Sequence, residues 1–432
     1  MRQQMKLYKD TDSEILRYAL EYFTDYIQYE TTSDPKSPSC PSSDKIWDLA
    51  KKIKVDLEDL GLEVKLDDHC YIYSSLPGNR PSQHKIGLIA HMDTSPDMSG
   101  KDVKARRLTY EGQPVILNQD HPDYLADKEP AISLDQELFP NLAKYEGQEI
   151  IVTDGHSLLG ADDKAGVAEI MALAKYLTKH PEIEHGDIQV AFTPDEEIGR
   201  GADLFDVAGF GADFAYTVDG SVLGEIEWEN FNAASALVEV NGLSVHPGSA
   251  KGKLRNAMTL AAHYILAMPA DETPEKTEGY EGFYHLTDMS GSVEEARLEY
   301  IIRDFDQDNF ARRKKFMANL VDQFNQEFSG QEIFKLTIKD SYYNMRAKVE
   351  PYRFLIAYAK EAMAEAGIEA KEHAIRGGTD GSRLSYMGLP CPNLFTGGEN
   401  FHGKYEFLSV ETMQKALETL VNLVQKFVEP QD

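Results

Sequence analysis

The chain has 432 residues, more than one ordinary hydrophobic core organises, so two domains are expected. Its 42% hydrophobic and 27% charged residues are the balance of a soluble globular protein, and no apolar run approaches the ~20 residues that span a bilayer. A formal net charge of −29 repels phosphate backbones and anionic lipid, which argues against nucleic acid and membrane as partners.

The N-terminal stretch Met1–Ser13 is polar and lacks the apolar region of a signal peptide, so cytoplasmic residence is the expectation. Cys40, Cys70 and Cys391 are odd in number and not at ligand spacing, and are read as reduced thiols. Ser43 or Asp44 can cap a helix over Lys45–Leu60, whose apolar residues keep a helical period until Gly61. Ile86–Ala90 is a short apolar run of the buried-strand type and leads into His91-Met92-Asp93. A strand over Glu149–Val152, a helix over Ala165–Leu177 and a strand over Ile188–Thr193 follow, the last running into Pro194-Asp195-Glu196-Glu197. Another strand, Ala215–Val218, ends at Asp219-Gly220.

After Gly224 the pattern changes. Ala234–Val240 alternates like a half-exposed strand and ends in a turn at Asn241-Gly242. A helix over Asn256–Met268, a strand over Arg297–Arg303, a helix over Arg312–Phe328 and a strand over Phe334–Ile338 complete a β-α-β-α-β block with one solvated sheet face. The first style then returns: a helix over Tyr352–Ala366, a strand over Asn393–Thr396 leading to His402, and an apolar-faced C-terminal helix. The expectation is an α/β protein: a discontinuous main domain, 1–223 and 345–432, with a mixed sheet flanked by helices, and a smaller α+β domain inserted at 224–344.

Chemistry-bearing side chains fall just after the strands. His91, Asp93, Glu196, Glu197, Asp219 and His402 all do so, and Asp162 precedes a helix. Ligands of open α/β sheets bind at the carboxyl ends of strands, and two His with several acids suit borderline divalent cations such as zinc. Residues i and i+2 of a strand share a side, so Asp93 can hold one ring nitrogen of His91 and leave the other for metal. Each signal alone has a plainer reading: His91 and Asp93 as a surface pair, Glu196-Glu197 as a solvated turn, Asp162-Asp163 as a helix cap, His402 as a structural histidine.

Taken together and in order, these segments resemble the M20 metallopeptidases, and within them the tripeptide aminopeptidases. The resemblance rests on Ile89–Thr94, Leu158–Gly166, Phe192–Gly199, Val245–Gly248, Ile301–Phe305, Arg376–Gly381 and Asn393–Gly398 with His402. It implies two zinc ions bridged by Asp162, one completed by His91 and Asp219 and the other by Glu197 and His402. It further implies a cis peptide between Asp162 and Asp163, Asp93 orienting His91, and Glu196 as general base. His246 would come from a lid and dimerisation domain to stabilise the oxyanion, reaching the site from the partner subunit of a homodimer. Asn256, Arg303, Arg376 and Gly378 are candidates for holding a short peptide; either Arg has a structural ion-pair role as its alternative.

Two other classes compete. An M20-type amidohydrolase acting on an acylated amino acid would keep the same metal residues. A non-catalytic peptide-binding protein on the same scaffold would lack the base or a ligand, and none is missing here. Single-zinc chemistry of the His-Glu-x-x-His type has no matching segment.

Overall fold

A computed structural model describes residues 5–428, so the first four residues of the polar N-terminal stretch lie outside it. The chain divides into two compact units: residues 1–228, 347–373 and 379–432, and residues 229–346 with 374–378. The short return of 374–378 to the smaller unit places Arg376 and Gly378 there.

The larger unit is built on an eight-stranded sheet in the order Glu63–Leu66, Ile72–Leu76, Ile188–Thr193, Ile86–His91, Phe214–Gly220, Asn393–Phe395, Glu225–Asn230, Lys371–Ile375. Its centre is parallel: Ile188–Thr193, Ile86–His91, Phe214–Gly220 and Asn393–Phe395 all run the same way. Ile72–Leu76 and Glu225–Asn230 pair antiparallel on either side, so the sheet is mixed. Parallel strands covered on both faces read as mostly apolar runs rather than alternating ones, and every residue of Ile86–His91 and Ile188–Thr193 is buried.

The helix Ala161–Lys179 lies against this sheet and against the helices Glu14–Tyr26 and Val410–Gln425. Being covered all round, it is buried along nearly its whole length, and Ala165, Gly166, Ala168 and Ala172 let the neighbours approach closely. It starts earlier than the apolar period from Ala165 suggests. Asp162 and Asp163 have non-helical backbone angles at its beginning, and the peptide between them is cis. A second sheet, Gly398–Glu399, Phe407–Ser409, Glu149–Val152, Arg106–Thr109, takes up the Glu149–Val152 strand.

Two local expectations are corrected. Neither Ser43 nor Asp44 caps the Ile46–Asp59 helix with its side chain; their carbonyls accept the N–H groups of Ile46 and Trp47 in a turn at 3.2 and 3.3 Å. The strand leading to Asn241-Gly242 starts earlier than its alternation from Ala234 suggests, at Asn232, and ends at Asn241. The Asn232–Asn241 strand pairs with Glu295–Asp304 and Phe334–Tyr342, both distant in sequence, and a Cβ on Gly242 would strike the Val293 carbonyl oxygen.

The smaller unit is a four-stranded antiparallel sheet, Phe283–Gly291, Glu295–Asp304, Asn232–Asn241, Phe334–Tyr342, with the helices Ala257–Ala267 and Gln307–Glu327. Glu295–Asp304 alternates buried and exposed residues over most of its length, as a sheet with one covered face requires. The strand Phe283–Gly291 is one more than the five-element pattern predicts. Only its first two residues are buried, so it carries no alternating signal. Among the described residues no helix is long and apolar enough to cross a membrane. Cys40, Cys70 and Cys391 are free thiols.

Candidate metal centre

The parallel register sets the site. His91 is level with Thr193, Ile89 with Thr217, and Asn393 with Thr217. Four strands therefore end at one edge, and His91, Glu196, Glu197 and Asp219 are delivered there from three of them. Glu196 and Glu197 follow a sharp turn at Asp195, which has φ +62° and whose carboxylate accepts the Ser42 N–H at 2.7 and 2.9 Å and the Ser42 hydroxyl at 2.5 Å.

Asp162 stands between the two histidines. Its Oδ1 is 3.0 Å from His91 Nε2 and its Oδ2 is 3.3 Å from His402 Nε2. His91 Nε2 is also 3.5 Å from Asp219 Oδ1, and His402 Nε2 is 2.9 Å from Glu197 Oε2. Each imidazole nitrogen thus faces one oxygen of Asp162 and one other carboxylate. Donor atoms of His91, Asp162 and Glu197 lie within 4.8 Å of one another, as do those of His91, Asp163 and Asp219. His91 is 2% exposed and His402 45%, so one side of the cluster is buried and the other opens outward. Glu197 Oε1 is buried with no hydrogen-bond partner.

The supporting bonds are dense. Asp93 places its carbonyl 3.1 Å and its Oδ1 3.3 Å from His91 Nδ1, and its two carboxylate oxygens accept the N–H groups of Glu196 and Glu197 at 3.0 and 3.1 Å. One carboxylate therefore fixes three members of the cluster. Asp163 accepts the His91 N–H at 3.1 Å and the Gly166 N–H at 3.2 Å. Asn393 Oδ1 accepts the Asp219 N–H at 3.1 Å and the Thr217 hydroxyl at 2.9 Å.

So many buried carboxylates cannot all ionise without positive charge. Burial pushes the Glu197 acid up to about 8, with Asp162 adding to the shift and His402 opposing it. Burial likewise raises Glu196 well above the usual carboxylate range, helped by Asp219, Asp380 and Glu197 against His91. Asp219 moves up to about 6 and Asp380 to about 7, burial being the main cause in both. Asp162 goes the other way: burial would raise it, but hydrogen bonds from His402 and His91 hold it low. Hydrogen bonds to Asp162 and Glu197 raise His402 to about 11. Burial works against a charged His91, and Asp219, Asp162 and Asp93 together overcome it. The cluster demands cations, and two histidines with carboxylates are a donor set for divalent transition metals.

Sequence patterns leave several of these partners unassigned. Asp163 and Asp380 stand in segments already singled out but carry no ligand spacing of their own. Asp380 Oδ2 accepts the Thr193 hydroxyl at 2.8 Å. Glu406 is invisible without the fold: its Oε2 accepts the N–H groups of Leu159 and Gly160 at 2.7 and 2.9 Å, and its Oε1 that of Asp162 at 3.0 Å.

The five residues proposed for substrate all lie in the smaller unit. His246 is exposed, and its Nδ1 accepts the Gly248 N–H at 3.1 Å. Asn256 caps the Ala257–Ala267 helix, its Oδ1 accepting from Met258 N at 3.0 Å and Thr259 N at 3.4 Å. Arg303 donates to the carbonyls of Ile302 and Ala234 at 3.0 and 3.4 Å and lies over the Tyr342 ring. Arg376 donates to the carbonyls of Gly279, Glu281 and Thr277 and stacks on Phe231. Gly378 has the Tyr342 ring where a Cβ would be, 2.6 Å away.

Over 412 residues the chain is 52% identical to peptidase T of Desulfitobacterium hafniense (strain DSM 10664 / DCB-2), covering 95% of this chain and 98% of that protein. The chain belongs to the peptidase T family. Residues 228–332 match the peptidase dimerisation domain of the M20 peptidases. The fold is that of the peptidase T family in solved structures too: aminopeptidase PepT from Bacillus cereus ATCC 10987 superposes with a TM-score of 0.71 at 22% identity, over 95% of this chain and 98% of that one. A Bacillus subtilis protein described as a dinuclear metal-binding peptidase of the M20 family superposes with a TM-score of 0.61 at 15% identity, over 96% of this chain and 99% of that one.

Proposed function

We propose that this member of the peptidase T family is a cytoplasmic, homodimeric zinc aminopeptidase that removes the N-terminal residue of tripeptides. The observation that carries the reading is Asp162, with one carboxylate oxygen 3.0 Å from His91 and the other 3.3 Å from His402. That split suits a carboxylate shared by two cations. His91 and Asp219 would hold one zinc ion and Glu197 and His402 the other, and the unpartnered, buried Glu197 Oε1 fits a ligand role.

When bound, the ion pair supplies positive charge that polarises a peptide carbonyl and makes water more acidic. The rest falls to the chain. Glu196 accepts a proton from the attacking water and returns it to the leaving amine. Asp93, through the Glu196 and Glu197 N–H groups and His91 Nδ1, keeps base and ligands in register. His246 is proposed to stabilise the developing oxyanion, and Asn256, Arg303, Arg376 and Gly378 to hold the peptide.

The test is hydrolysis by zinc-loaded protein of a dipeptide, tripeptide and tetrapeptide with free termini beside an acylated amino acid, with products weighed by mass spectrometry. Loss of one N-terminal residue, fastest from the tripeptide, is the expected result. Turnover of the acylated amino acid alone would instead favour the amidohydrolase reading.

A further inference from the structure

The larger unit holds a second group of ligand-type side chains that shares no residue with the His91 and His402 cluster. His121, Glu129 and His156 bring donor atoms to within 4.8 Å of one another. Glu129 spans the edges of the two rings, Oε1 3.1 Å from His121 Nδ1 and Oε2 3.1 Å from His156 Nε2. The two imidazoles stack with centroids 4.0 Å apart and 24° between their planes.

The group is built rather than incidental. Buried Asn118 donates from Nδ2 to Glu129 Oε1 and to the Pro130 carbonyl, both at 2.9 Å, and its Oδ1 accepts the Ile132 N–H at 2.9 Å. His156 Nδ1 is 3.2 Å from the Asp154 carbonyl, which fixes a proton on that nitrogen and holds Nε2 facing Glu129. His121 Nδ1 accepts the Asp123 N–H at 3.4 Å, the outer limit of such a bond, so its lone pair is only weakly engaged. His121 Nδ1, accepting the Asp123 N–H, presents its lone pair to Glu129 Oε1 and repels it, and a cation held among the three residues turns that repulsion into attraction. Tetrahedral zinc, with bonds of ~2.1 Å, needs donor atoms ~3.4 Å apart. Each histidine nitrogen stands 3.1 Å from its own Glu129 oxygen, and one donor atom from each of the three residues lies within 4.8 Å of the others, so an ion drawn among them needs a modest side-chain shift. Two nitrogens select a borderline ion over magnesium or calcium, which prefer oxygen.

We propose that His121, Glu129 and His156 bind a divalent cation of the zinc class, clipping the 117–132 segment to the turn at 153–157. All three side chains are partly exposed, between 21% and 35%, so the ion has access and a place for water as fourth ligand.

The experiment compares zinc content, by elemental analysis after equilibrium dialysis against buffered free zinc, of the full chain and the His121→Ala/His156→Ala variant. One further equivalent per chain in the unsubstituted protein, with equal peptide hydrolysis, is expected. Equal zinc in the two proteins overturns the proposal, as does an extra equivalent that both retain. Because the readout is a difference, it holds whatever the His91 cluster binds. Should the double variant melt before the parent, Glu129→Gln gives the same comparison with nearly unchanged shape, and must lose the same equivalent.

Discussion

Gly166→Ala is a small change with a large expected effect. Gly166 lies in the first turns of the central helix, where it passes the strand that carries Asp219. A Cβ there would strike the Val218 carbonyl oxygen, with Asp163 Oδ1 at 2.5 Å and its Cγ at 3.0 Å. Neither neighbour can yield. Val218 is mid-sheet, and the Asp163 carboxylate is pinned by the N–H groups of Gly166 and His91. Restoring ordinary contact separates helix from strand by on the order of 1 Å, at an overpacking cost of about 1–3 kcal/mol. The same shift moves Asp162 away from Asp219 and His91, and misplacement of that size can cost about 100-fold in rate. The assay pairs urea unfolding with kcat/KM on a tripeptide at saturating zinc. Val167→Ala, a truncation of a buried neighbour on the same helix, is the control; it should lose comparable stability but keep far more activity. A Gly166→Ala protein with parental midpoint and activity would refute the reasoning.

Glu196→Gln should keep its zinc and fold but lose turnover by about 100- to 10,000-fold, the usual range for a general base; near-normal turnover would remove Glu196 from that role. Glu406→Ala leaves the N–H groups of Leu159, Gly160 and Asp162 without their acceptor, and should cost about 1–3 kcal/mol in urea unfolding, with weaker zinc retention. Asn393→Ala frees the Asp219 N–H and should weaken zinc binding about 10- to 100-fold in a chelator competition. In the metal-free chain, Asp219, Asp380, Glu406 and Glu197 are raised to about 6, 7, 7 and 8 and His402 to about 11. For all five the folded state binds protons more tightly than the unfolded one, so their stabilisation is full at low pH and is lost as pH rises through these values. Asp162, held low, loses its contribution only in acid. Metal-free protein should therefore become easier to unfold as pH rises from about 4 to 8, with His402 extending the loss above that, while zinc affinity, which requires those protons to leave, rises over the same span. Melting midpoints of chelated protein that rise with pH over this span would contradict this.

The sequence by itself determines the elements whose signal is local. The apolar run Ile86–Ala90 ends at His91, where the strand reaches the edge that carries the polar cluster. Ile188–Thr193 was legible in the same way, as were Asp162 before its helix and the acids after the strands. What it leaves undecided depends on contacts between distant segments. Glu406 reads as an ordinary charged residue until the fold sets its carboxylate under three N–H groups of the Leu159–Asp162 loop. Asp93 reads as a partner of His91 alone, yet the turn after Thr193 makes it the acceptor for Glu196 and Glu197 as well. The strand Phe283–Gly291 has too few buried positions to alternate, and which strands flank Asn232–Asn241, Glu295–Asp304 and Phe334–Tyr342, is not written near it in sequence. Hydrophobic periodicity records which side of an element meets the core; which polar groups meet each other is settled only when the chain closes and every buried donor must find its acceptor.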